Sequence, residues 1–395
     1  MPVLIAALGL LAFVMPLATD MYLPALPQMT GDLHTDASGV QLTLTAFLIG
    51  MGLGQLVLGP LSDRCGRRVP LLAGGVACVV TTAFCALAPS LEWLVALRFV
   101  QGFSGAAGVV IGRAVIADVA RGETAARLFG VVMALTGLAP VVAPVVGGVV
   151  MENGGWRTVF WVLAAATVLA VVSAAVAVPE SLPRDRRRTG GAAATARAVR
   201  EVLGNRAYLG YALSFGLSLA VLFCYLGGAS FLFQNLLGLS VGQTSAAFAS
   251  TGVAGALATV AVTKLVGRFS PAALLRTGLY VMVTASAALT VLALADALAL
   301  TLTLGLVYVA LAGICLVTVN ATALALERVP HAAGAGSAVL GAGQGLLGAV
   351  AAPLVGLGGE HTAFPMFLGM TVSAALAFAA LALTRRASPV LPDGR

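Results

Sequence analysis

Long apolar runs, separated by short polar breaks, dominate the sequence. Each run is about 20 residues or longer, which is the length of helix that crosses the roughly 30 Å hydrocarbon core of a bilayer. The predicted spans lie at 4–28, 41–62, 69–89, 91–115, 127–150, 156–178, 208–233, 244–266, 273–295, 299–323, 334–358 and 364–384. The pattern therefore predicts an all-α integral membrane protein with twelve transmembrane helices.

The polar breaks alternate between a basic and an acidic kind. The basic breaks hold Arg64, Arg67 and Arg68; Arg121 and Arg127; the segment from Arg184 to Arg206; Lys264, Arg268 and Arg276; Arg328; and Arg385 and Arg386. The acidic breaks hold Asp32, Asp36, Glu92, Glu152, Asp296 and Glu360, with Arg157 as their one basic residue. Because basic loops stay on the cytoplasmic side, we expect a multi-pass protein of the cell (inner or plasma) membrane with both termini in the cytoplasm.

Composition supports lipid as the surrounding solvent. Only 9% of the residues are charged and 60% are hydrophobic, with a mean hydropathy of +1.02, whereas soluble chains carry about 25% charged residues. The formal charge of +7 resides mostly in the basic breaks, without the aromatic interleaving or recognition-helix pattern of a nucleic-acid binder. We therefore expect the lipid bilayer, and no nucleic acid, as a partner.

The sequence offers little for catalysis. The five cysteines follow no metal-ligand or redox spacing, and no catalytic triad, phosphate loop or dinucleotide fingerprint is present. We therefore expect no enzyme activity, no metal site and no bound cofactor. ATP-driven transport is not expected either, because the sequence lacks a Walker segment.

The two halves of the sequence echo each other around a basic linker. Gly66-Arg67 with Pro70 recurs as Gly267-Arg268 with Pro271, and an Ala-Pro-x-x-Gly segment occurs at 143–147 and again at 352–356. We predict two six-helix pseudo-repeats, at 1–178 and 208–395, joined by a cytoplasmic linker at 179–207. Parallel repeats of this kind enclose a central cavity and rock to give alternating access.

Three motifs resemble those of the major facilitator superfamily. They are Gly59-Pro-Leu-Ser-Asp63-Arg64-Cys-Gly66-Arg67-Arg68 between spans two and three, Arg98-Phe-Val-Gln101-Gly102 in span four, and Ala143-Pro144-Val-Val-Gly147-Gly148 in span five. The second is similar to a motif of proton-coupled members. The third is similar to the antiporter motif, with Ala143 where glycine is usual. The resemblance implies the major facilitator fold.

Further segments are similar to the Bcr/CflA drug-resistance family. They are 15–27 in span one, 223–231 in span seven and the stretch that begins at Asn320 in span ten. Members export bicyclomycin, phenicols and sulfonamides. The resemblance therefore implies a monomeric drug/proton antiporter that takes small hydrophobic drugs and is energised by the proton gradient. The alternatives are an importer or facilitator of a small metabolite, and a membrane protein that does not transport.

Asp20 is the one carboxylate well inside a predicted span. A central Asp or Arg costs roughly 2.5–3.5 kcal/mol on insertion, so such residues usually face a cavity and mark a function. Asp20 and Arg98 are both expected roughly 12 Å below the outer surface. Our hypothesis is that Asp20 carries the proton and Arg98 tunes it; the alternative is a permanent ion pair that locks two helices. Because Ala12 occupies the position where some antiporters carry a second acid, neutral or weakly zwitterionic substrates are favoured.

The first motif also predicts a cytoplasmic latch. Its candidate residues are Gly59, Asp63, Arg64, Gly66, Arg67 and Arg68, with Asp118 at the end of span four. The superfamily likeness suggests that Asp63 caps the positive N-terminal end of span eleven and that Arg67 pairs with Asp118, which would hold the outward-open state. The alternative is simple positive-inside anchoring by the arginines.

Two more groups of residues are candidates for transport. The antiporter motif, with Gly137, Pro140, Pro144, Gly147 and Gly148, is expected to kink span five and to form a tight small-residue seal between the halves. The drug pocket should be mostly apolar with a few polar groups. Its candidates are Tyr22, Gln101, Phe223, Tyr225, Phe231, Asn320 and Gln344, and each has ordinary interhelical packing as an alternative.

Overall fold

The computed structural model describes residues 2–187 and 192–385, so Arg188 of the linker and Arg386 of the last basic segment lie outside the described residues. Within these ranges the chain is helical and contains no β-strand. Eleven helices are long and apolar enough to cross a membrane, which confirms the all-α membrane fold. One of these helices contains two spans.

Span one comprises Pro2–Asp20 and Leu26–Asp32, joined by a 3₁₀ turn at Leu23–Ala25. Spans two, three and four are Ala37–Cys65, Arg68–Ala86 and Leu91–Val119, and Gly122–Ala177 contains spans five and six. A linker helix at Ala192–Gly204 precedes the second half. Spans seven to twelve are Arg206–Phe231, Val241–Leu265, Pro271–Leu294, Leu300–Glu327, Ala333–Val355 and Phe364–Ala380, and a short turn at Ala382–Arg385 extends the last of them.

Gly155 divides spans five and six. A continuous helix of the 56 residues in Gly122–Ala177 would be about 84 Å long at 1.5 Å per residue, far more than a bilayer requires. Gly155 interrupts it with φ 72° and ψ −179°, a conformation open to glycine and costly for other residues. The chain therefore crosses the membrane twice in this segment.

Span one is longer than the hydrophobic pattern predicted, because it continues to Asp32 beyond a break in the helix. The break follows Asp20, and Pro24 and Pro27 lie just after it. Proline has no backbone N–H to donate and its ring clashes with the preceding helical turn. The polar end of the span therefore lies one helical turn further along the chain than expected.

The two halves join on the side of the acidic loops. Gln41 of span two donates to the Gly227 carbonyl at 3.0 Å, and Thr45 donates to the Ala349 carbonyl at 3.1 Å. Gln234, which follows span seven, donates to the carbonyl of Pro24 at 2.8 Å. Every hydrogen bond between the halves that links described residues lies on this side. The halves are therefore tightly joined there.

Buried apolar residues show the same asymmetry between the two sides. One large cluster, which includes Phe47 and Phe223, extends through both halves. A second cluster around Leu8, Ile111 and Val115 contains residues of the first half alone and lies toward the basic loops. The halves therefore share a core on the acidic-loop side and have separate packing toward the basic side.

Candidate functional site

Arg98 lies at the centre of the first half in a cage of aromatic rings. Its side chain is fully buried, and the guanidinium carbon lies 4.5 Å from the ring centre of Tyr22, 4.2 Å from that of Phe47 and 5.8 Å from that of Phe160. Aromatic faces attract cations at these distances, more strongly where water is excluded. The cage therefore stabilises a positive charge without a carboxylate.

Gln101 completes the polar side of this cage. Its amide oxygen accepts from Nη1 of Arg98 at 2.7 Å, and its amide nitrogen donates to the hydroxyl of Thr82 at 2.7 Å. The Nε and Nη2 atoms of Arg98 are buried and have no hydrogen-bond partner. Buried polar groups of folded proteins are usually paired, so Arg98 retains donors for a partner that this state does not supply.

Asp20 is the last residue of the first helical segment of span one. Its side chain is only 8% exposed, and no described residue forms an ion pair or a hydrogen bond with its carboxyl group. An isolated buried charge costs several kcal/mol. The carboxyl group of Asp20 is therefore buried without a counter-ion among the described residues.

The structure does not pair Asp20 with Arg98, so the alternative of a permanent ion pair does not apply to this state. The expected equal depth of the two residues stays a prediction, because the chain between Asp20 and Leu26 is not a continuous α-helix and residue counts do not fix the depth of Asp20. Tyr22, two residues after Asp20, contacts Arg98 instead.

The antiporter motif of span five packs directly beside this break. A Cβ atom on Gly147 would collide with the backbone carbonyl of Met21, the residue after Asp20, and one on Gly148 would collide with the hydroxyl of Ser245 in span eight. Only glycine allows such close backbone approach. The adjacent glycines therefore hold the break in span one against span five, and span five against the other half.

The prolines and the remaining glycine of this motif differ in their contacts. Pro140 lies against Gly252 of span eight, where a Cβ would come within 2.7 Å of the Pro140 carbonyl. Pro144 lies inside the helix between these contacts. Gly137 requires no close approach of a described neighbour, since a Cβ there would meet nothing within 4 Å. The contacts of the motif with span eight therefore lie on the acidic-loop side of Gly137.

Arg67 is the centre of a charged cluster at the basic end of spans two and four. Its Nε donates to Asp118 at 3.0 Å, and its Nη1 donates to Asp63 and to the hydroxyl of Ser62, the latter at 2.7 Å. The side chain is largely buried. This guanidinium therefore clamps the ends of the two spans together.

Asp63 is not placed at the start of span eleven. Its carboxylate binds Arg67, while span eleven begins after Ala332, which gives no side-chain cap. Gly356, just beyond span eleven, lies against Ser38 of span two, and Gly341 of span eleven lies against Gln55. Asp63 lies two helical turns beyond the last of these. The predicted cap is therefore absent from this state.

The other residues of the first motif have simpler positions. A Cβ on Gly59 would lie 3.1 Å from Val110, so this glycine lets spans two and four approach. Gly66 ends span two with φ 94°, a left-handed conformation that favours glycine. Arg64 and Arg68 are exposed, and Arg68 also donates to the Ala175 carbonyl at 2.8 Å.

Glu180, which the sequence analysis did not single out, binds the turn between spans two and three. Its carboxylate accepts from the backbone N–H groups of Arg67 at 2.8 Å and Arg68 at 3.3 Å. These are unpaired donors at the start of span three, where a helix also favours negative charge. Partial burial raises the pKa of Glu180, but these N–H groups, that of Leu182 and the nearby Arg187 outweigh it and hold the pKa below its usual value.

Ser181 extends the same contact to span four. Its hydroxyl donates to Asp118 at 2.9 Å. The segment after span six therefore contacts both the turn between spans two and three and the end of span four. The sequence signal was Glu180, an acidic residue directly after span six that precedes the arginines of the linker. We define Asp63, Arg67, Asp118 and Glu180 as the basic-side cluster.

The candidate pocket residues do not all converge. Tyr22 and Gln101 gather around Arg98, as described above. The others lie in the second half. In span seven, Phe223 packs on Gly348 of span eleven, the ring centre of Tyr225 lies 6.1 Å from that of Phe248, and Phe231 is buried at the end of the span. Asn320 donates to the Leu316 carbonyl of its own helix at 2.8 Å, and Gln344 is half-buried in span eleven. Phe223 and Tyr225 pack between helices and Asn320 bonds within its own helix, so a drug pocket formed by these residues stays a prediction.

The family model of the Major Facilitator Superfamily matches residues 8–353. The chain belongs to this superfamily. The MFS-type transporter YdgK of Bacillus subtilis is 36% identical over 93% of this chain and 92% of its own length. A chloramphenicol resistance protein of Pseudomonas aeruginosa is 30% identical over 89% of this chain and 83% of its own length. A bicyclomycin resistance protein homolog of Haemophilus influenzae is 29% identical over 93% of this chain and 92% of its own length. The resemblance to the Bcr/CflA family is confirmed.

Solved structures of this superfamily share the fold. The nucleoside transporter NupG aligns with a TM-score of 0.77 at 12% identity over 96% of this chain and 99% of its own. A D-xylose-proton symporter aligns with a TM-score of 0.74 at 18% identity over 96% of each chain. The chain is therefore a multi-pass membrane transporter of this superfamily rather than an enzyme.

Proposed function

We propose that the protein exports small, hydrophobic drugs in exchange for protons. The single observation that carries this proposal is Asp20, a buried carboxyl group without a counter-ion, beside the glycine of an antiporter motif. The relatives support the drug as cargo, because their names include chloramphenicol resistance, bicyclomycin resistance and multidrug resistance. Phenicols and bicyclomycin are accordingly the first substrates to test.

Asp20 is the proposed proton carrier. In the packed state its carboxyl group lacks a counter-ion, and protonation removes the cost of burying its charge. Water entering around Asp20 would lower that cost and release the proton. Because Met21 rests on Gly147, movement of span five against span one would change the environment of Asp20. Proton loading and helix rocking are thereby coupled.

Arg98 is the proposed partner of Asp20 in another state of the cycle. Two of its nitrogen atoms have no partner here, and Tyr22 links it to the same break in span one. A movement of the break in span one toward Arg98 would bring the carboxyl group to the free donors. An adjacent cation favours the ionised carboxylate, so this approach would promote proton release. The drug would bind among the apolar residues between the halves.

The orientation and state follow from the charge of the loops. If the basic loops are cytoplasmic, the halves are joined on the outer side and the protein faces the cytoplasm. The basic-side cluster would then prepare the opposite state, in which Asp63 reaches the positive end of span eleven. We propose that the protein works in this way as a monomer in the cell membrane.

Drug-stimulated proton flux in proteoliposomes tests this function. Wild type, Asp20→Asn and the control Asp296→Asn would be compared with phenicols, bicyclomycin and sulfonamides. Asp296 is exposed in an acidic loop and has φ 49°, a conformation that asparagine tolerates. We expect drug-dependent proton movement in wild type and the control, and none in Asp20→Asn. Uptake of a metabolite without proton movement would favour an importer and contradict the proposal.

A further inference from the structure

A second cavity lies outside the central site, at the basic end of the second half. It is enclosed by spans seven, nine and twelve, has a volume of about 190 Å³, and its wall includes Tyr211, Arg276, Tyr280, Phe378 and Thr384. No acidic residue lines it. No role in drug or proton transport accounts for these side chains.

The depth of this cavity matches the headgroup layer of a membrane. Tyr211 lies five residues into span seven and Arg276 five residues into span nine. At 1.5 Å per residue, both side chains start about 8 Å inside the ends of their helices. The polar layer of a bilayer extends about 5–8 Å beyond each face of the hydrocarbon core. A ligand in the cavity would therefore contact both the headgroup layer and the edge of the hydrocarbon core.

Two donors of the cavity, on Tyr211 and Arg276, have no partner in the described part of the chain, whereas the Thr384 hydroxyl donates to the Leu381 carbonyl at 2.7 Å. Tyr211 is 8% exposed, yet its hydroxyl forms no hydrogen bond with a described residue. Arg276 is exposed and forms no ion pair with one. Tyr211 and Arg276 both line the cavity, so both donors are open to a ligand there. A guanidinium beside a hydroxyl suits a phosphate oxygen.

The opposite wall is aromatic. The rings of Tyr280 and Phe378 lie 4.9 Å apart at an angle of 60°, and Tyr280 is 59% exposed. Tyrosine commonly occupies the membrane interface, with its ring against acyl chains and its hydroxyl toward headgroups. A free phosphate ion would leave this wall without a contact, whereas a lipid would cover it.

We propose that this cavity binds an anionic membrane phospholipid, with the phosphodiester on Arg276 and Tyr211 and an acyl chain along Tyr280 and Phe378. Basic pockets between membrane helices bind headgroups in this way on the basic side of other membrane proteins. Such a lipid would link spans seven, nine and twelve at the membrane surface. The site is independent of Asp20 and of the proposed drug export.

Native mass spectrometry of the full-length protein, with phosphatidylglycerol or phosphatidylcholine added, tests the proposal. We expect one retained phosphatidylglycerol, bound more tightly than phosphatidylcholine. Arg276→Gln should weaken it by roughly tenfold, since charge-assisted bonds are the strong ones. Tyr211→Phe should weaken it by roughly threefold, the effect of one neutral hydrogen bond. Arg268→Gln, on an equally exposed arginine of the same basic break that does not line the cavity, should have no effect.

Two controls keep the result interpretable. The thermal unfolding of the lipid-free variants must match that of wild type, and Tyr211→Phe keeps the packing of the ring if Arg276→Gln proves unstable. Equal retention of both lipids, or loss in Arg268→Gln as large as in Arg276→Gln, would overturn the proposal. Displacement of the lipid by millimolar inorganic phosphate would also overturn it, because the site would then be one for soluble phosphate.

Discussion

The same glycine-arginine turn occurs in both halves, but only the first is embedded in a charged cluster. Gly66 and Gly267 have φ values of 94° and 91°, so the two backbones bend alike. Arg67 is buried and binds Asp63 and Asp118, whereas Arg268 is exposed and pairs with no acidic residue in the described ranges. The turn is therefore a requirement of the repeated fold, and the cluster is an addition to it.

The sequence around each turn explains the difference. Three residues before the glycine, the first half has Asp63 and the second has Lys264. The next helix is capped by the carboxylate of Glu180 in the first half and by the hydroxyl of Ser270 in the second, which accepts from the Ala273 N–H at 3.3 Å. The second turn folds without acidic partners for its arginine among the described residues and with a neutral cap. The fold therefore does not require the charged cluster of the first turn, which supports a role for that cluster in transport.

Replacing the two arginines should give the largest contrast between the turns. Arg67→Ala leaves Asp63 and Asp118 without their cation and should destabilise the described state by about 1–3 kcal/mol. A shift of that size changes a conformational equilibrium by roughly 5- to 150-fold, so drug transport should fall by at least about fivefold. Arg268→Ala should stay within about twofold of wild type, as exposed charges contribute little. Equal losses in the two variants would contradict the contrast.

The two glycines test the shared backbone separately from the charges. An alanine at either position meets the strain of a left-handed conformation, about 1–2 kcal/mol. At Gly66 a Cβ would also collide with Glu180, whereas at Gly267 it meets nothing within 4 Å. Thermal unfolding in detergent should therefore show a loss in both variants, and the larger one in Gly66→Ala. An unchanged midpoint in Gly267→Ala would show that the second turn can relax.

Glu180→Gln tests the charge of the first cap with little change in shape. Because the folded pKa of Glu180 is lowered, its stabilising effect is complete above the unfolded pKa of about 4.3. It is lost as the pH falls through the lower folded pKa. The difference in unfolding midpoint between wild type and Glu180→Gln should therefore be largest near pH 7 and shrink below about pH 4.

Ser270→Ala is the matched control for that pH dependence. It removes the neutral cap of the second turn and should cost about 1 kcal/mol, with no change of the loss between pH 4 and pH 7. If the decrease in unfolding midpoint caused by Glu180→Gln were equally constant between pH 4 and pH 7, the charge of Glu180 would not contribute to the cap.

The smallest change in stability and transport is expected when an acidic residue is introduced into the second turn at the position that matches Asp63. Lys264→Asp would place a carboxylate four residues before Arg268, which repeats the spacing of Asp63 and Arg67. An exposed pair at this spacing contributes about 0.3–0.5 kcal/mol, so neither stability nor transport should change measurably. A marked change in transport would show that the second turn also takes part in gating.

The membrane spans were predictable because bilayer thickness sets the length of apolar helices, while the division into two six-helix repeats stays a prediction. The resemblance suggested the pairing of Arg67 with Asp118, which the structure contains. Other features depend on tertiary detail that no periodicity encodes. The break after Asp20 interrupts the helix that carries that carboxyl group, and Glu180 reaches the first turn because span six ends beside it.

The candidate pocket shows the same limit. Tyr22 and Gln101 gather around Arg98, since each faces the interior of the first half. Asn320 satisfies its amide on its own helix, and Tyr225 packs against Phe248. Residue type placed these side chains inside the protein, but helix rotation decides which of them meet.

The most direct test of the account is proton release on drug binding, measured with a pH indicator on purified wild type and Asp20→Asn in detergent, away from any gradient. The account predicts that a phenicol or bicyclomycin releases protons from wild type and none from Asp20→Asn, while both proteins keep the same unfolding midpoint. Equal proton release from the two proteins would contradict the central claim that the buried carboxyl group of Asp20 carries the exchanged proton.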